Sequence, residues 1–417
     1  MKKRSDGREQ NPAKNNNDQP DKAKCPETPT QIGRDYTKVI QAYFGYRQKR
    51  LEIVDTTVTQ GGQTLDWIPL ESQTPDGRIA SPPPEVVGVE QEDSERPVKP
   101  ITFELETQKE ARGPKGCVPI SRRTITSLRR GVTMKDYLSK HGRPTYRLST
   151  PEGAEYQVPA TSAAKHWYAR SSQSVTCYGG AGRISAWNPY VEWSDEFSLG
   201  QIALSRGSGN GLQTVEAGWQ VYRQLYGDWN AHLFIFYTTN GYTNQGDNLG
   251  GYNQDVDGWV QYSNIIYPTA LSSPVSTLGG AQYIMAIKYQ LWEGNWWLMV
   301  NGSWIGYYPA NLFGNSGLLS QANSIYWYGE VVDSDTRSGM TETDMGSGHW
   351  PYEGWTWCAY MNNLQYQSSP QGAMQRYNGT VWKNDRECYD IEQHFNNTGS
   401  WQSYMWFGGS GRNSKCQ

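Results

Sequence analysis

Long apolar runs are missing from this chain. No stretch approaches the ~20 apolar residues that a membrane helix needs, which argues against a helical membrane protein. Charge is scarce as well: 19% of residues are charged and the formal net charge is −3, with none of the basic surplus that marks a nucleic-acid partner. The six cysteines contain no Cys-x-x-Cys pair, which disfavours a zinc site. None of the five histidines (His141, His166, His232, His349, His394) has the i, i+4 spacing of a helical metal site. A serine nucleophile elbow is absent, and Gly346-Ser347-Gly348-His349 reads as a glycine-rich turn. Asp255 and Asp257 lie in a turn and are calcium candidates, with a solvated turn as the plainer alternative. No repeat of fixed period occurs, which weakens a propeller. No metal or cofactor is called for.

What the chain has is aromatic and flexible: 18 Trp, 28 Tyr and 44 Gly in 417 residues. Such a composition with few amphipathic runs predicts an all-β protein. The halves differ. Residues 1–164 hold 26 Lys+Arg against 22 Asp+Glu, whereas residues 165–417 hold 12 against 19 and 17 of the 18 Trp. A basic unit beside an acidic one can dock; a solvated basic linker is the alternative. Residues 1–33 are polar and expected to be disordered. Residues 34–135 predict a small mixed α+β segment, with a helix over 34–50, a strand pair around Gly61-Gly62 and a turn at Thr74-Pro75-Asp76-Gly77. Residues 136–164, with Pro144, Pro151 and Pro159, read as a linker. Residues 165–417 alternate short aromatic strands with turns: 183–193, 196–205, 213–222, 231–239, 257–267, 281–292, 295–300, 303–308, 324–333 and 355–366. That many short strands predicts a sandwich, barrel or jelly roll.

Two acidic residues stand inside these strands, where acids are unfavoured. Glu216 lies in Gln-Thr-Val-Glu-Ala-Gly-Trp-Gln-Val (213–221) and Glu330 in Ile-Tyr-Trp-Tyr-Gly-Glu-Val-Val-Asp (325–333). Alternation puts Thr214, Glu216, Gly218 and Gln220 on one face, opposite the apolar Val215, Ala217, Trp219 and Val221. Likewise Tyr326, Tyr328, Glu330 and Val332 align, opposite Ile325, Trp327, Gly329 and Val331. Both carboxylates are thus expected to leave the packed face, with Gly218 leaving room for a ligand backbone. Two such carboxyls brought together can split their pKa values, as acid–base hydrolysis requires. Ordinary sheet-surface acids are the alternative. Trp296-Trp297 and Tyr307-Tyr308 put aromatics on both faces of their strands. Packing explains one face, and a groove for a peptide or sugar explains the other.

At these residues the sequence resembles the neprosin family of secreted glutamic peptidases. The matching stretches include Trp-Asn-Pro-Tyr-Val (187–191), Asp-Glu-Phe-Ser-Leu-Gly-Gln-Ile (195–202), Val-Glu-Ala-Gly-Trp-Gln-Val (215–221) and Gly-Glu-Val-Val (329–332). Others are Met-Gly-Ser-Gly-His-Trp-Pro (345–351), Cys-Tyr-Asp-Ile (388–391) and Gly-Gly-Ser-Gly-Arg-Asn-Ser-Lys-Cys (408–416). Looser matches to the family's activation peptide occur at 72–77 and 117–124. The resemblance implies an antiparallel, jelly-roll-like β-sandwich over 165–417 behind a prosegment, cleavage beside proline in acid, and catalysis by Glu216 and Glu330. Gln220 is the candidate for stabilising the oxyanion, and Tyr326 and Tyr328 for walling the proline pocket.

The expected partners are a proline-containing substrate and the chain's own prosegment as an intramolecular inhibitor, released by cutting within 136–164; neither nucleic acid nor membrane is expected. A cysteine pair usual in the family corresponds here to Gly251 and Val256, so that loop is expected to be looser. Disulfides are expected at Cys388–Cys416, Cys25–Cys117 and Cys177–Cys358, the last as a replacement bridge. Six cysteines fit an exported protein, to which three sequons, at Asn301, Asn378 and Asn396, add little because such tripeptides are common by chance. Met-Lys-Lys-Arg opens like a signal peptide but lacks its apolar region, so a signal is missing from this chain, or its true start lies upstream, or the chain is intracellular. The rival readings are a β-sandwich glycoside hydrolase, which also uses two carboxylates, and a non-catalytic carbohydrate- or cell-wall-binding protein.

Overall fold

The structure, a computed structural model, describes residues 36–84, 95–123, 137–140, 147–149, 155–157, 164–314, 317–334, 339–383, 387–395 and 399–416. The polar segment 1–33, Cys25, Pro144, Pro151, Pro159 and Asn396 lie outside the described residues.

The N-terminal part opens with α1 (Tyr36–Arg50), whose last turn carries Arg47, Lys49 and Arg50, cations that suit the negative end of a helix. Then come β1 (Asp55–Val58) and β2 (Thr64–Pro69), a hairpin whose turn needs Gly62 at φ +84°. Next are β3 (Lys99–Pro100), β4 (Thr102–Phe103) and β5 (Cys117–Ser121), which completes a three-stranded sheet with β1 and β2. Strand β4 is followed at once by a helical turn at Glu104–Thr107. Strands β6 (Arg147–Ser149) and β7 (Glu155–Gln157) form a hairpin within the stretch read as linker.

The large domain supplies β8 (Lys165–Cys177), β9 (Gly179–Ser185), β10 (Phe197–Arg206), β11 (Gln213–Val221), β12 (Ala231–Thr238), β13 (Gly250–Tyr252), β14 (Val260–Gln261), β15 (Ser272–Ser273) and β16 (Tyr283–Trp292). It continues with β17 (Asn295–Val300), β18 (Ser303–Pro309), β19 (Ala322–Asp333), β20 (Ala359–Gln367), β21 (Met374–Arg376), β22 (Thr380–Lys383), β23 (Asp390–His394) and β24 (Tyr404–Gly408). One sheet runs β13-β12-β11-β10-β19-β8-β22, and the other β14-β18-β17-β16-β9-β20-β24-β23, with β21 on β20 and β3 parallel to β16. Apart from that β3 pairing every ladder is antiparallel, and the domain is the expected β-sandwich. Among the described residues no helix is long and apolar enough to cross a membrane.

Between the sheets lie Val215, Ala217 and Trp219 of β11 and Ile325 and Trp327 of β19, all fully buried. Gly180 and Gly182 of β9 clear the space these take: a Cβ there would come within 2.3 Å of Ile325 and 2.7 Å of Trp327. The sequence misplaces three elements. Trp187–Val191 is loop and the strand before it ends at Ser185, because Pro189 cannot donate to a ladder. Residues 257–267 hold only the two-residue β14. The thirteen-residue β8 went unread because hydroxyls and charges stand on its outward positions.

Cys388 and Cys416 are disulfide-bonded, Cα to Cα 5.2 Å, fastening the C-terminal segment. Cys177 and Cys358 are free, contrary to the expected bridge. Cys177 packs in the main core while Cys358 belongs to a separate aromatic cluster with Tyr360, Trp401 and Trp406. Cys117 is a free buried thiol. The loop at Gly251 and Val256 is not loose: Val256 is buried, and a Cβ at Gly251 would come within 2.9 Å of it. Gly218 leaves no room for a ligand. A Cβ there would meet the Gly200 carbonyl at 2.0 Å, so the glycine is required by the neighbouring strand.

Candidate active site

β10 is the central strand of its sheet, flanked by β11 and β19. Glu216 pairs across to Ala203, and Glu330 to Leu199 on the other side. Paired residues in an antiparallel ladder share a face, so both carboxylates rise from the side away from the sandwich core, as alternation predicts. They are nevertheless buried, Glu216 at 0% and Glu330 at 1% exposure, because another part of the chain covers them.

The cover is Tyr137–Lys140, four buried residues from the start of the segment read as an open linker. Lys140 Nζ lies 2.5 Å from Glu216 Oε2 and 2.9 Å from Glu330 Oε2, bridging the pair. It also donates to Gln201 Oε1 at 2.9 Å, and its ammonium faces the rings of Tyr328 and Phe234. Gln201 Nε2 in turn donates to Glu216 Oε2 at 2.8 Å. Thr214 Oγ1 and Tyr242 Oη donate to Glu216 Oε1 at 2.8 and 2.6 Å. His166 Nδ1 stands 2.7 Å from Glu330 Oε1.

This environment decides the charges. Burial by itself drives Glu216 and Glu330 towards the neutral acid, yet Lys140 and the hydrogen bonds outweigh it. Glu216 ends below its ordinary range, helped by Lys140, Tyr242 and Gln201. Glu330 is lowered to about 2, helped by Lys140 and His166. Burial pulls the Lys140 amine down, but the two carboxylates pull it up further, well above an ordinary lysine. With Lys140 in place, both glutamates are ionised.

Of the aromatic candidates, Tyr328 is at the site, its hydroxyl 3.5 Å from Glu216 Oε2, and Tyr326 is not: its hydroxyl meets Ser205 and its ring lies near Arg170. Gln220 is held back from the carboxylates, donating to Tyr252 Oη at 3.2 Å and accepting from Tyr226 Oη at 3.1 Å. The amide that reaches Glu216 is Gln201. Sequence reasoning missed it, although it lies in a quoted strand. It also missed Lys140, Tyr242 and the role of His166, which come from segments without periodicity.

The N-terminal part is also fastened to the large domain by ion pairs. Arg123 pairs with Asp255 through two hydrogen bonds, 2.6 and 2.9 Å. Arg47 pairs with Asp247 and Asp257, and Arg50 reaches Asp257 at 3.2 Å. Asp255 and Asp257 are thus both bound by arginines, Asp255 buried and Asp257 half-exposed. Among the described residues no group of three His, Cys, Asp or Glu is placed to hold a metal ion.

The family model described as Neprosin matches residues 194–410, just over half of the chain. The chain belongs to the neprosin family, and that membership supports a peptidase-type hydrolase. Among solved structures, "CG-16, a homodimeric agglutinin from chicken liver" is similar at 7% identity and a TM-score of 0.20, covering 40% of this chain and 96% of that one. A likeness that slight carries no argument here.

Proposed function

We propose that the protein is a glutamic endopeptidase that cleaves beside proline, works in acid, and is made as an exported zymogen held shut by its own prosegment. The observation that carries this reading is Lys140 bridging Glu216 and Glu330. The ammonium occupies the place between the carboxylates that a water and a scissile carbonyl need.

Once Lys140 leaves, the two carboxylates face each other without its ammonium. Like charges in one site cannot both ionise cheaply, so one takes up a proton. The ionised member accepts a proton from water as the water attacks the scissile carbonyl. The protonated member polarises that carbonyl and then donates to the leaving amine. The two titrate as a pair. Gln201, freed from Lys140, replaces Gln220 as the amide placed for the oxyanion. Phe234 and Tyr328, which now hold the lysine, wall a pocket suited to a proline ring.

Mild acid does not by itself undo the Lys140 bridge. The stabilisation from a lowered carboxyl is present above its unfolded value near ~4.3 and is lost only as pH falls through its folded value, which for Glu330 is about 2. Release therefore requires cutting the chain between about 140 and 165, beside Pro144, Pro151 or Pro159. The Cys388–Cys416 bond supports an oxidising, extracytoplasmic destination.

The deciding experiment incubates the acid-treated chain with a proline-containing peptide and with a glycan panel. Cleavage of the peptide alone is expected. Glu216→Gln and Glu330→Gln should each fold and lose at least about a hundredfold in rate. A variant retaining more than about a tenth of the rate would remove that glutamate from the chemistry. Cleavage of glycans would favour the glycoside-hydrolase rival, and binding without cleavage the lectin-like one.

A further inference from the structure

The outer face of the second sheet carries an aromatic patch that the catalytic reading does not use. Alternation in β17 sends Trp296 and Leu298 into the main core and Trp297 and Met299 outward. Trp297 pairs across to Tyr307 of β18, their rings 4.6 Å apart, and Trp304 and Tyr262 close edge-on around Trp297 at 6.1 and 5.3 Å. Trp292 lies at the margin. Among the described residues the buried indole N–H groups of Trp297 and Trp304 have no hydrogen-bond acceptor.

The lid on this patch is prosegment. Ile79 and Ala80 pack against it, and the Ala80 N–H donates to Tyr307 Oη at 3.2 Å. Upstream, Gln73 clamps β14 from both sides: its amide accepts from Gln261 N–H at 2.8 Å and donates to the Gln261 carbonyl at 2.7 Å. Residues 79–84, Ile-Ala-Ser-Pro-Pro-Pro, form no helix or strand, and Pro83 is buried. Ile79 and Ala80 thus seat on the aromatic cluster the first residues of a stretch that runs on into three prolines, and extended proline-rich segments are the kind of chain that aromatic-lined surfaces recognise.

We propose that this patch is a second peptide-binding site, distant from Glu216 and Glu330 in the fold, for extended proline-rich segments. Residues 79–84 occupy it in the full chain, and their departure opens it to substrate. The inference rests on the proposed release of the prosegment, and it adds a reason for preferring long proline-rich proteins over short peptides. Held at a distance, a substrate strand presents its successive prolines to the catalytic face at raised effective concentration.

A fluorescent peptide of sequence Ile-Ala-Ser-Pro-Pro-Pro-Glu is titrated into the full chain at neutral pH and into the acid-treated chain, whose processing is read by N-terminal sequencing. Binding is expected only after processing. In the unprocessed chain Ile79→Asp should admit the peptide by displacing the lid, so the site is tested even if acid fails to release the prosegment. Trp304→Ala should weaken binding about tenfold or more, as loss of an aromatic anchor does. It should also raise KM for a long proline-rich substrate while leaving kcat/KM for a short peptide unchanged. Tyr307→Phe, which keeps the ring and removes only the hydroxyl, gives a folded second variant with a smaller loss of about threefold. Equal binding to processed and lid-closed chains, unchanged binding in both ring variants, or capture of an oligosaccharide in place of the peptide would each overturn the proposal. Loss of short-peptide cleavage with peptide binding retained would instead count against the catalytic reading alone.

Discussion

Two buried carboxyl sites in this domain receive opposite treatment. Glu330, 1% exposed, is lowered to about 2, whereas Glu196, also 1% exposed, is raised to about 7. Burial pushes both upward. What separates them is the partner: a lysine ammonium and an imidazole at Glu330, but only neutral donors at Glu196. These are Thr341 and Thr343 hydroxyls at 2.7 and 2.6 Å and the Ser334 N–H at 3.3 Å, with Asp333 adding repulsion. Hydrogen bonds from neutral groups reduce the cost of burying a carboxylate without cancelling it, and a full opposite charge reverses the sign. Charge at the glutamate pair is therefore on loan from Lys140, on the segment that the proposed activation would remove.

The sharpest way to break the contrast is Lys140→Met in the full chain. It leaves two carboxylates buried without a cation, a change of roughly 3–5 kcal/mol at neutral pH. The sign of the pH dependence should invert. In the parent the lowered carboxyls contribute stability above ~4.3 that is lost towards pH 2. In the variant the raised pair is least costly when protonated, so stability is lost as pH rises. Melting temperature measured from pH 3 to 8 reads this directly, and parallel curves for the two proteins would refute the bridge as the source of the shift. The variant should also process faster in acid, since its prosegment is held less firmly.

Glu196→Gln removes the other half of the contrast. A raised folded value means the native state holds its proton where the unfolded chain has lost it, so wild-type stability falls between ~4.3 and about 7. The amide should gain about 2 kcal/mol at pH 7.5 and little at pH 4. Denaturant unfolding at the two pH values checks it, and equal gains at both would remove titration as the cause. Tyr242→Phe refines the comparison from the catalytic side. It deletes one donor to Glu216 while Thr214 and Gln201 remain, which should cost about 1 kcal/mol. The acid limb of the activity profile should then move to higher pH by less than about one unit. An unmoved limb with lowered kcat would assign Tyr242 to substrate instead.

How much of this was legible beforehand follows from the range of each signal. The face of Glu216 and Glu330 was readable because strand alternation is local, and so was the placing of Trp296 and Trp297 on opposite faces, though not which of them faces the core. Choosing Gln201 over Gln220 was not. Both stand on the right face, and only the pairing of Gln201 with Gly218 and Tyr328 places it between the glutamates. Lys140 was invisible for the same reason in stronger form: its segment has no period, and its position is set by a partner 76 residues away. The Cys177–Cys358 bridge failed because an even cysteine count says nothing about which cluster each thiol joins.

β10, the strand between the two glutamates, is laddered to β11 along Ser198–Arg206 and to β19 along Phe197–Ser205. Its amide protons have no solvent-facing edge from which to exchange, so they should leave only when the whole sheet opens. Deuterium uptake at Leu199–Ala203 should then be equally slow before and after the prosegment is lost, while Tyr137–Lys140 changes from protected to fast. That pattern would describe an enzyme whose working geometry exists from the moment of folding, kept idle by occupancy alone.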